Sequence, residues 1–593
     1  MKKARLVLLG RVLSVSLLSA LAPACPFSSF EVEPATGSSL GGSAGASGGA
    51  PTTGGTNGGQ GGSPIKAASP QPQADRYFML QGSELTVRSP GVLANDSPSE
   101  LQVARVDVVT EALDFDMDVE VSGDGRLEFR PDPRFFGVFE LTYEVQNTNS
   151  VSAESRVTVH VLPSDVDLSL LGEGFGGVVF EGGGGEELGS AVRGAVDLNG
   201  DQMDDLLVGA RGADAGAGAV LVVFGGPAVE DRSLSSQPSS DQSKYYAVVN
   251  GEVPDGALGA SVAVLRDQAG AAIALVLGAP GGEGRVERVD LGPPGEGAGP
   301  LFNPVRRTAL TGDQRETGIG SLVDAAGDID GNGSPDILVA SRVGDLGQLR
   351  VVFGQADPSE SGAIADAPGL VLRGTEVGAG FPLAFAAVAD LNGDSRGEVL
   401  AASRSNILLL HGGEQYPSTE NEVSIDGSAF GFRAVRTAPG LSGAVSVVGD
   451  EGGNSSPELV YCDGIALCRV VRTPLSTLSN GFRVTGFGAT TSSLSVVSAG
   501  DLDADGITDL AFAEDSVVYV LYGRHSGQAD VDVAMLAGAG YRIRMPEGGA
   551  VSALSAAGDF NRDGVDDLAI TDSGARRGAG RVYVVHGVRS RRP

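Results

Sequence analysis

The stretch "TSSLSVVSAGDLDADGITDLAFAE", residues 491–514, decides the fold. It reads as an apolar strand, a nonapeptide with carboxylates at Asp501, Asp503, Asp505 and Asp509, and a second apolar strand. The pattern returns as "LGSAVRGAVDLNGDQMDDLLVGAR" (188–211), "IGSLVDAAGDIDGNGSPDILVASR" (319–342), "FPLAFAAVADLNGDSRGEVLAASR" (381–404) and "AVSALSAAGDFNRDGVDDLAITDS" (550–573). Two degenerate copies fill the gaps. "LGASVAVLRDQAGAAIALVLGAP" (258–280) keeps one acid, Asp267, and "AVSVVGDEGGNSSPELVYCDG" (444–464) keeps Asp450, Asn454 and Glu458 with Gly452 at the third position.

The first positions of the seven units are 197, 267, 328, 390, 450, 501 and 559, in steps of 70, 61, 62, 60, 51 and 58. This is longer than a common propeller blade of about 40–45 residues, but four strands with longer loops fill it. Each unit carries a strand, the loop, a second strand, a turn, and a third strand that usually ends in Gly. A fourth short strand precedes the next unit: "YYAVVNG" (245–251), "TALTG" (308–312), "LVLRG" (370–374), "VSIDG" (423–427), "FRVTG" (482–486) and "YRIRM" (541–545). Six such strands follow seven triplets, and the remaining one stands at the front as "GVVFEG" (177–182). It is expected to join the last unit and close a ring, because an open array leaves bare strand edges. The prediction is an all-β chain with a closed seven-bladed β-propeller over residues 164–588 and a basic tail at 589–593.

Composition agrees. Ninety glycines among 593 residues argue for turns rather than long helices. The net charge of −33 repels nucleic acid and anionic membranes, so neither is an expected partner.

The N-terminus "MKKARLVLLGRVLSVSLLSALAPAC" places Lys2, Lys3 and Arg5 before an apolar core and reads as an export signal over residues 1–24. Cys25 after Ala24 resembles a bacterial lipoprotein cleavage site, which implies lipidation of Cys25; ordinary cleavage after Ala-Pro-Ala is the alternative. The expected location is the cell surface or outer membrane, or the medium, with membrane contact only through that anchor. Residues 25–74 are mostly Gly, Ser, Ala, Thr and Pro and read as a flexible tether. The G-x-S-x-G match "GGSAG" (41–45) lies inside it without the flanking strand and helix of a nucleophile elbow.

Residues 75–163 alternate at period two in "ELTVRS", "LQVARVDVV", "RLEFRP", "FELTYEV" and "RVTVHVL", the pattern of a small β-sandwich. "GVLANDSP" (91–98) and "DGRLEFRPDPRFFGVFELTYEV" (124–145) resemble the bacterial cadherin-like and immunoglobulin-like repeats of surface proteins.

The repeated units resemble FG-GAP repeats, the blades of integrin α-chain propellers. "LGSAV" and "IGSLV" stand where that family has Phe-Gly, and "DLLVGAR" and "LVLGAP" where it has Gly-Ala-Pro. The second and fifth units depart from the metal pattern, and the fourth, sixth and seventh lack the Phe-Gly.

The acidic loop is not an EF-hand, whose twelfth residue is a Glu, since the twelfth residue from Asp501 is Phe512 in an apolar strand. The loop closes at its ninth residue, the seventh offers a backbone carbonyl, and Gly506 permits the tight turn. Crowded carboxylates repel one another unless a cation sits among them, and an all-oxygen donor set suits Ca²⁺ over softer metals. About five structural Ca²⁺ sites are expected: Asp197, Asn199, Asp201, Met203 and Asp205; Asp328, Asp330, Asn332, Ser334 and Asp336; Asp390, Asn392, Asp394, Arg396 and Glu398; Asp501, Asp503, Asp505, Ile507 and Asp509; Asp559, Asn561, Asp563, Val565 and Asp567. Without an ion, the same residues form acidic turns that cap the backbone.

Cys462 and Cys468 flank "DGIAL" at a hairpin tip, either as a disulfide or as two separate thiols. His411 and His586 stand where other units have Phe224, Phe353 or Tyr522 and read as packing residues; no His has a partner for nucleophilic catalysis. The expected function is a non-enzymatic, calcium-stabilised surface binding or adhesion protein that recognises a protein or a glycan. In integrin-like propellers the ligand face lies opposite the metal loops, which points to residues 212–218 and 252–257, with the insert 227–243 on the metal side. The alternative is an extracellular polysaccharide lyase or hydrolase, against which the low aromatic content and the lack of Trp argue.

Overall fold

The computed structural model describes residues 69–590 except 99, 111–116, 148–151, 172–175, 293–301, 313–314, 356–360, 375–380, 383, 389, 391–393, 403–406, 414–421, 425–431, 436–440, 449–457, 464–466, 472–480, 489–493, 524–529 and 537. The export signal, Cys25, most of the tether, Asn392, Asp450 and Asn454 lie outside the described residues. The chain is almost all β and divides into two units, Met1–Val161 and Leu162–Pro593.

Among its described residues the first unit holds a four-stranded sheet and a three-stranded sheet. Strands Gly137–Gln146 and Ser152–Leu162 pair along ten positions, and alternate residues such as Phe139, Leu141, Tyr143 and Val145 are buried. Gln71 bridges Ser97, so the pairing of this unit includes residues ahead of Asp75.

Among its described residues the second unit holds seven sheets. The first joins Leu188–Val196, Asp205–Ala210, Ala219–Val223 and Tyr246–Asn250 in an antiparallel meander. The leading strands of the other six are Ser261–Arg266, Val323–Ala325, Ala384–Val388, Leu441–Val448, Leu494–Gly500 and Ala553–Gly558. Each leading strand lies against the next, and Ala553–Gly558 lies against Leu188–Val196, which completes the cycle. The early segment Gly177–Glu181 pairs antiparallel with Arg581–Val585, matching Phe180 with Val582. "GVVFEG" therefore supplies the outer strand of the seventh sheet, as its sequence position predicts.

The apolar cores sit between neighbouring sheets. Phe180, Leu206, Val208, Tyr246, Phe560 and Val582 form one of them, all buried, between the first and seventh sheets. At one end of the strands the sheets meet backbone to backbone. A Cβ on Gly209 would lie 2.0 Å from the Gly259 carbonyl oxygen, and one on Gly278 2.0 Å from that of Gly320. The hydroxyls of Ser190 and Ser261 donate to the same two carbonyls at 2.9 Å. Thr571 replaces that glycine in the seventh sheet and donates to the Gly189 carbonyl at 2.7 Å.

One strand differs from its expectation. "VSIDG" is not the outer strand of the fourth sheet; Phe432–Val435 takes that place beside Ile407–Leu410. Glu422–Ser424 instead pairs in parallel with Gly369–Arg373 of the third sheet. Short parallel strands of the same kind cover other outer edges: Arg232–Ser233 beside Gly177–Glu181, Gly362–Ala363 beside Pro304–Thr311, Val531–Asp532 beside Gly481–Thr485 and Asp165–Asp167 beside Gly540–Arg544. Each satisfies backbone groups that the edge would otherwise leave bare.

Candidate metal centres

Each acidic loop joins the first and second strands of its sheet, and its first residue organises the turn. Asp501 accepts the Asp505 N–H at 2.9 Å and the Gly506 N–H at 2.7 Å. Asp559 does the same for Asp563 and Gly564, Asp328 for Asn332 and Gly333, Asp390 for Asp394 and Ser395, and Asp197 for Asp201 and Gln202. The sixth residue takes a left-handed backbone whether it is glycine, as Gly506 at φ 85°, or not, as Gln202 and Ser395 at φ 67°. The side-chain acceptors of the first residue hold that conformation where glycine does not supply it. The fifth residue accepts the N–H of the seventh, as Asp505 does from Ile507 at 3.0 Å, Asp201 from Met203, Asp394 from Arg396, Asp563 from Val565 and Asn332 from Ser334.

The ninth residue is the buried anchor. Asp509 is wholly buried and accepts the Leu502 N–H at 2.8 Å on one oxygen and the Gly523 N–H at 2.7 Å on the other. Asp205 and Asp336 repeat this arrangement with Leu198 and Ile329 as the near donors and Gly225 and Gly354 as the distant ones, while Asp567 accepts from Asn561 N–H at 3.3 Å and from Gly587 N–H. Those glycines end the third strands for a reason: a Cβ there would lie 2.1–2.4 Å from the carbonyl oxygen of the loop's eighth residue. Burial pushes the carboxyls of Asp205 to about 8 and Asp336 to about 7, and raises those of Asp509 and Asp567 well above the usual range. The neighbouring acids of each loop add to this shift. A cation held among them would reverse both effects.

The donor chemistry fits such a cation. Carboxylate oxygens of Asp328, Asp330 and Asp336 lie within 4.8 Å of one another, as do those of Asp390, Asp394 and Glu398, and of Asp501, Asp503 and Asp509. In the loops of Asp197 and Asp559 the third position is Asn199 or Asn561, whose amide oxygen accepts the fifth residue's N–H at 2.9 Å. All donors are oxygens on one short turn, the set that hard cations take. The degenerate second unit provides an internal contrast: Asp267 accepts the N–H groups of Ala269 and Ala271 and forms an acid-poor turn.

Two features escape the sequence reading. His411 is not simply a packing residue, because its Nδ1 lies 3.4 Å from Glu398 Oε1. Glutamate is one methylene longer than the aspartates at this position, and that length carries its carboxylate to the ring. The second is the role of the eighth position. Asp566 accepts the Asp501 N–H at 2.8 Å, and Asp204 accepts the Asp559 N–H at 3.0 Å, each from the loop of the preceding sheet. The adjacent acids Asp204–Asp205 and Asp566–Asp567 are the signal in the sequence. Cys462 and Cys468 face each other across their hairpin and form a disulfide.

At the opposite end of the strands, the turn 212–218 and the segment 252–257 touch: the Ala257 N–H donates to the Gly216 carbonyl at 2.9 Å, and Gly218 bridges Leu258. A small pocket there is lined by Glu252, Val253, Leu258, Arg285 and Glu287, among others.

Residues 68–160 match the family described as Bacterial Ig domain, and residues 550–585 match the family described as FG-GAP repeat. No curated protein sequence gives a significant match. Among solved structures, the one described as "Crystal structure of BBS1N in complex with ARL6DN, soaked with lead" is similar at 10% identity and a TM-score of 0.36, over 66% of this chain and 91% of that one. The chain therefore carries a bacterial Ig domain and an FG-GAP repeat, the latter spanning the loop of Asp559, Asn561, Asp563 and Asp567.

Proposed function

We propose that this protein is an exported, calcium-stabilised surface binding protein whose seven sheets act as a propeller. The observation that carries the reading is the recurrence of one oxygen-donor loop, with the same internal hydrogen bonds, at the same end of five successive or near-successive sheets. Ca²⁺ at these loops braces hairpins and takes no part in bond-making. The contacting segments 212–218 and 252–257, with the pocket beside them, form the surface that meets a protein or glycan partner. Along the chain, the Ig domain lies between the proposed N-terminal anchor and the seven sheets.

The test is calcium binding by the purified full chain, read as bound ions per chain and as melting temperature. The expected result is saturation near five ions with a rise in melting temperature that chelator reverses. A chain that binds no Ca²⁺ at millimolar concentration overturns the reading. Turnover of a polysaccharide by the same preparation would favour an enzyme instead.

A further inference from the structure

The acidic loops are not independent of one another. The acid at the eighth position of one loop points away from its own donor cluster and towards the preceding sheet. Asp566 Oδ2 accepts the backbone N–H of Asp501 at 2.8 Å, and Asp566 returns its own N–H to the Asp501 carbonyl at 3.3 Å. Beside this pair, Val588 N–H donates to the Leu502 carbonyl at 2.9 Å and Ser590 N–H to the Asp503 carbonyl at 2.6 Å. The same contact recurs where the cycle closes. Asp204 Oδ2 accepts the Asp559 N–H at 3.0 Å, and Gly226 N–H donates to the Phe560 carbonyl at 2.7 Å.

The space around each link is filled. A Cβ on Gly500 would lie 2.5 Å from Asp566 Oδ2, and one on Gly558 2.1 Å from Asp204 Oδ2. Both glycines have positive φ, 85° and 67°, which turns the strand so that the N–H of the next residue meets the acid. Between the third and fourth sheets the link is weaker. Gly397 occupies the eighth position and has no carboxylate to offer the Asp328 amide; its own N–H reaches the Asp328 carbonyl at 3.1 Å, and the Gly413 N–H reaches the Ile329 carbonyl at 2.9 Å.

We propose that Asp566 and Asp204 are positioning residues that couple the loops of Asp501, Asp559 and Asp197 into one cooperative series for cation binding. This rests on the calcium reading above. The Val565 carbonyl and the Asp567 carboxylate, the neighbours of Asp566 on either side, would hold a cation in the Asp559 loop and would themselves be fixed by it. Asp566 is then held on the amide of Asp501, the first donor of the next site, before that site fills. Asp204 relates the Asp197 loop to the Asp559 loop in the same way. Coupling of this kind is reciprocal, so each filled loop raises the affinity of the one it touches.

Calorimetric titration of the full chain with Ca²⁺ alone tests this. The variant Asp563→Ala removes the Asp559 site. The proposal expects the ion count to fall by one and affinity at the Asp501 loop to fall about five- to tenfold. The variant Asp328→Ala, in the loop outside the series, should remove one ion and leave the affinities of the Asp501, Asp559 and Asp197 loops unchanged. Asp566→Ala should keep the full ion count and abolish the coupling, while Asp566→Asn, which keeps an acceptor oxygen, should retain most of it. Hydrogen exchange of the 494–523 segment, measured with each variant in chelator, shows whether that hairpin is still folded before ions are added. Affinities that stay the same in Asp563→Ala, or coupling that survives Asp566→Ala, overturn the proposal while leaving the calcium reading intact. Absence of any bound Ca²⁺ in the unmodified protein overturns that reading itself.

Discussion

Replacing Asp509 by alanine removes the side chain on which the hairpin of the sixth sheet hangs. The carboxylate is wholly buried and receives two backbone donors, Leu502 N–H at 2.8 Å and Gly523 N–H at 2.7 Å. Alanine replaces neither acceptor. A buried donor left unpaired costs about 1–3 kcal/mol, so two of them lower the opening free energy of the hairpin by about 2–6 kcal/mol. Burial already disfavours the charged carboxylate when no cation is present, which places the loss in chelator towards the lower end of that range. Asp509→Asn is neutral, keeps one acceptor oxygen and should cost about half as much. Saturating Ca²⁺ widens the gap, because a site filled at a hundred times its Kd adds about 2.7 kcal/mol that the alanine variant forfeits. Hydrogen-exchange mass spectrometry on peptides covering 494–523 of the full chain reads these differences locally, with chelator and with calcium. Unchanged protection of Asp509→Ala in chelator would refute the anchoring role. An equal calcium increment in both proteins would refute the ligand role.

Other expectations concern sites far from that hairpin. In the Ig domain, burial pushes the Asp75 carboxyl up to about 7, and the nearby Asp96 is raised as well; Tyr143 Oη sits 3.0 Å from Asp75. A folded-state value above the unfolded one means stability is greatest below about pH 4 and is lost as pH rises to about 7. Asp75→Asn should flatten that slope and stabilise the domain at pH 8 by up to about 4 kcal/mol, visible as a melting temperature that falls less steeply between about pH 4 and about pH 7 than in the unmodified protein. At the closure of the cycle, Phe180 is buried edge-on against Phe560. Phe180→Ala should cost about 3–5 kcal/mol, with exchange protection lost first in residues 177–181 and 581–585. The disulfide between Cys462 and Cys468 closes a short loop, six residues apart in sequence. Its removal by Cys462→Ser with Cys468→Ser should cost about 2 kcal/mol and leave calcium binding at the other sheets unchanged in a titration.

The strand–loop–strand units, the acidic turn within each of them and the closing role of residues 177–182 were legible from the sequence because their causes are local or periodic. A turn whose first residue accepts the amides of the fifth and sixth is written within nine positions, and a leftover strand at the front of a repeat array has one place to go. What only the tertiary structure decided lies between sheets. "VSIDG" and "FRAV" are both short and β-prone, and the choice of outer strand depends on hydrogen bonds to Ile407–Leu410 and Gly369–Arg373, which no local pattern encodes. Glu398 meets His411, and Asp566 meets Asp501 from 65 residues away, because packing places their sheet elements side by side. Long-range hydrogen bonds follow from the arrangement of the sheets, so the same acid reads as a turn residue in one dimension and as a link between sheets in three.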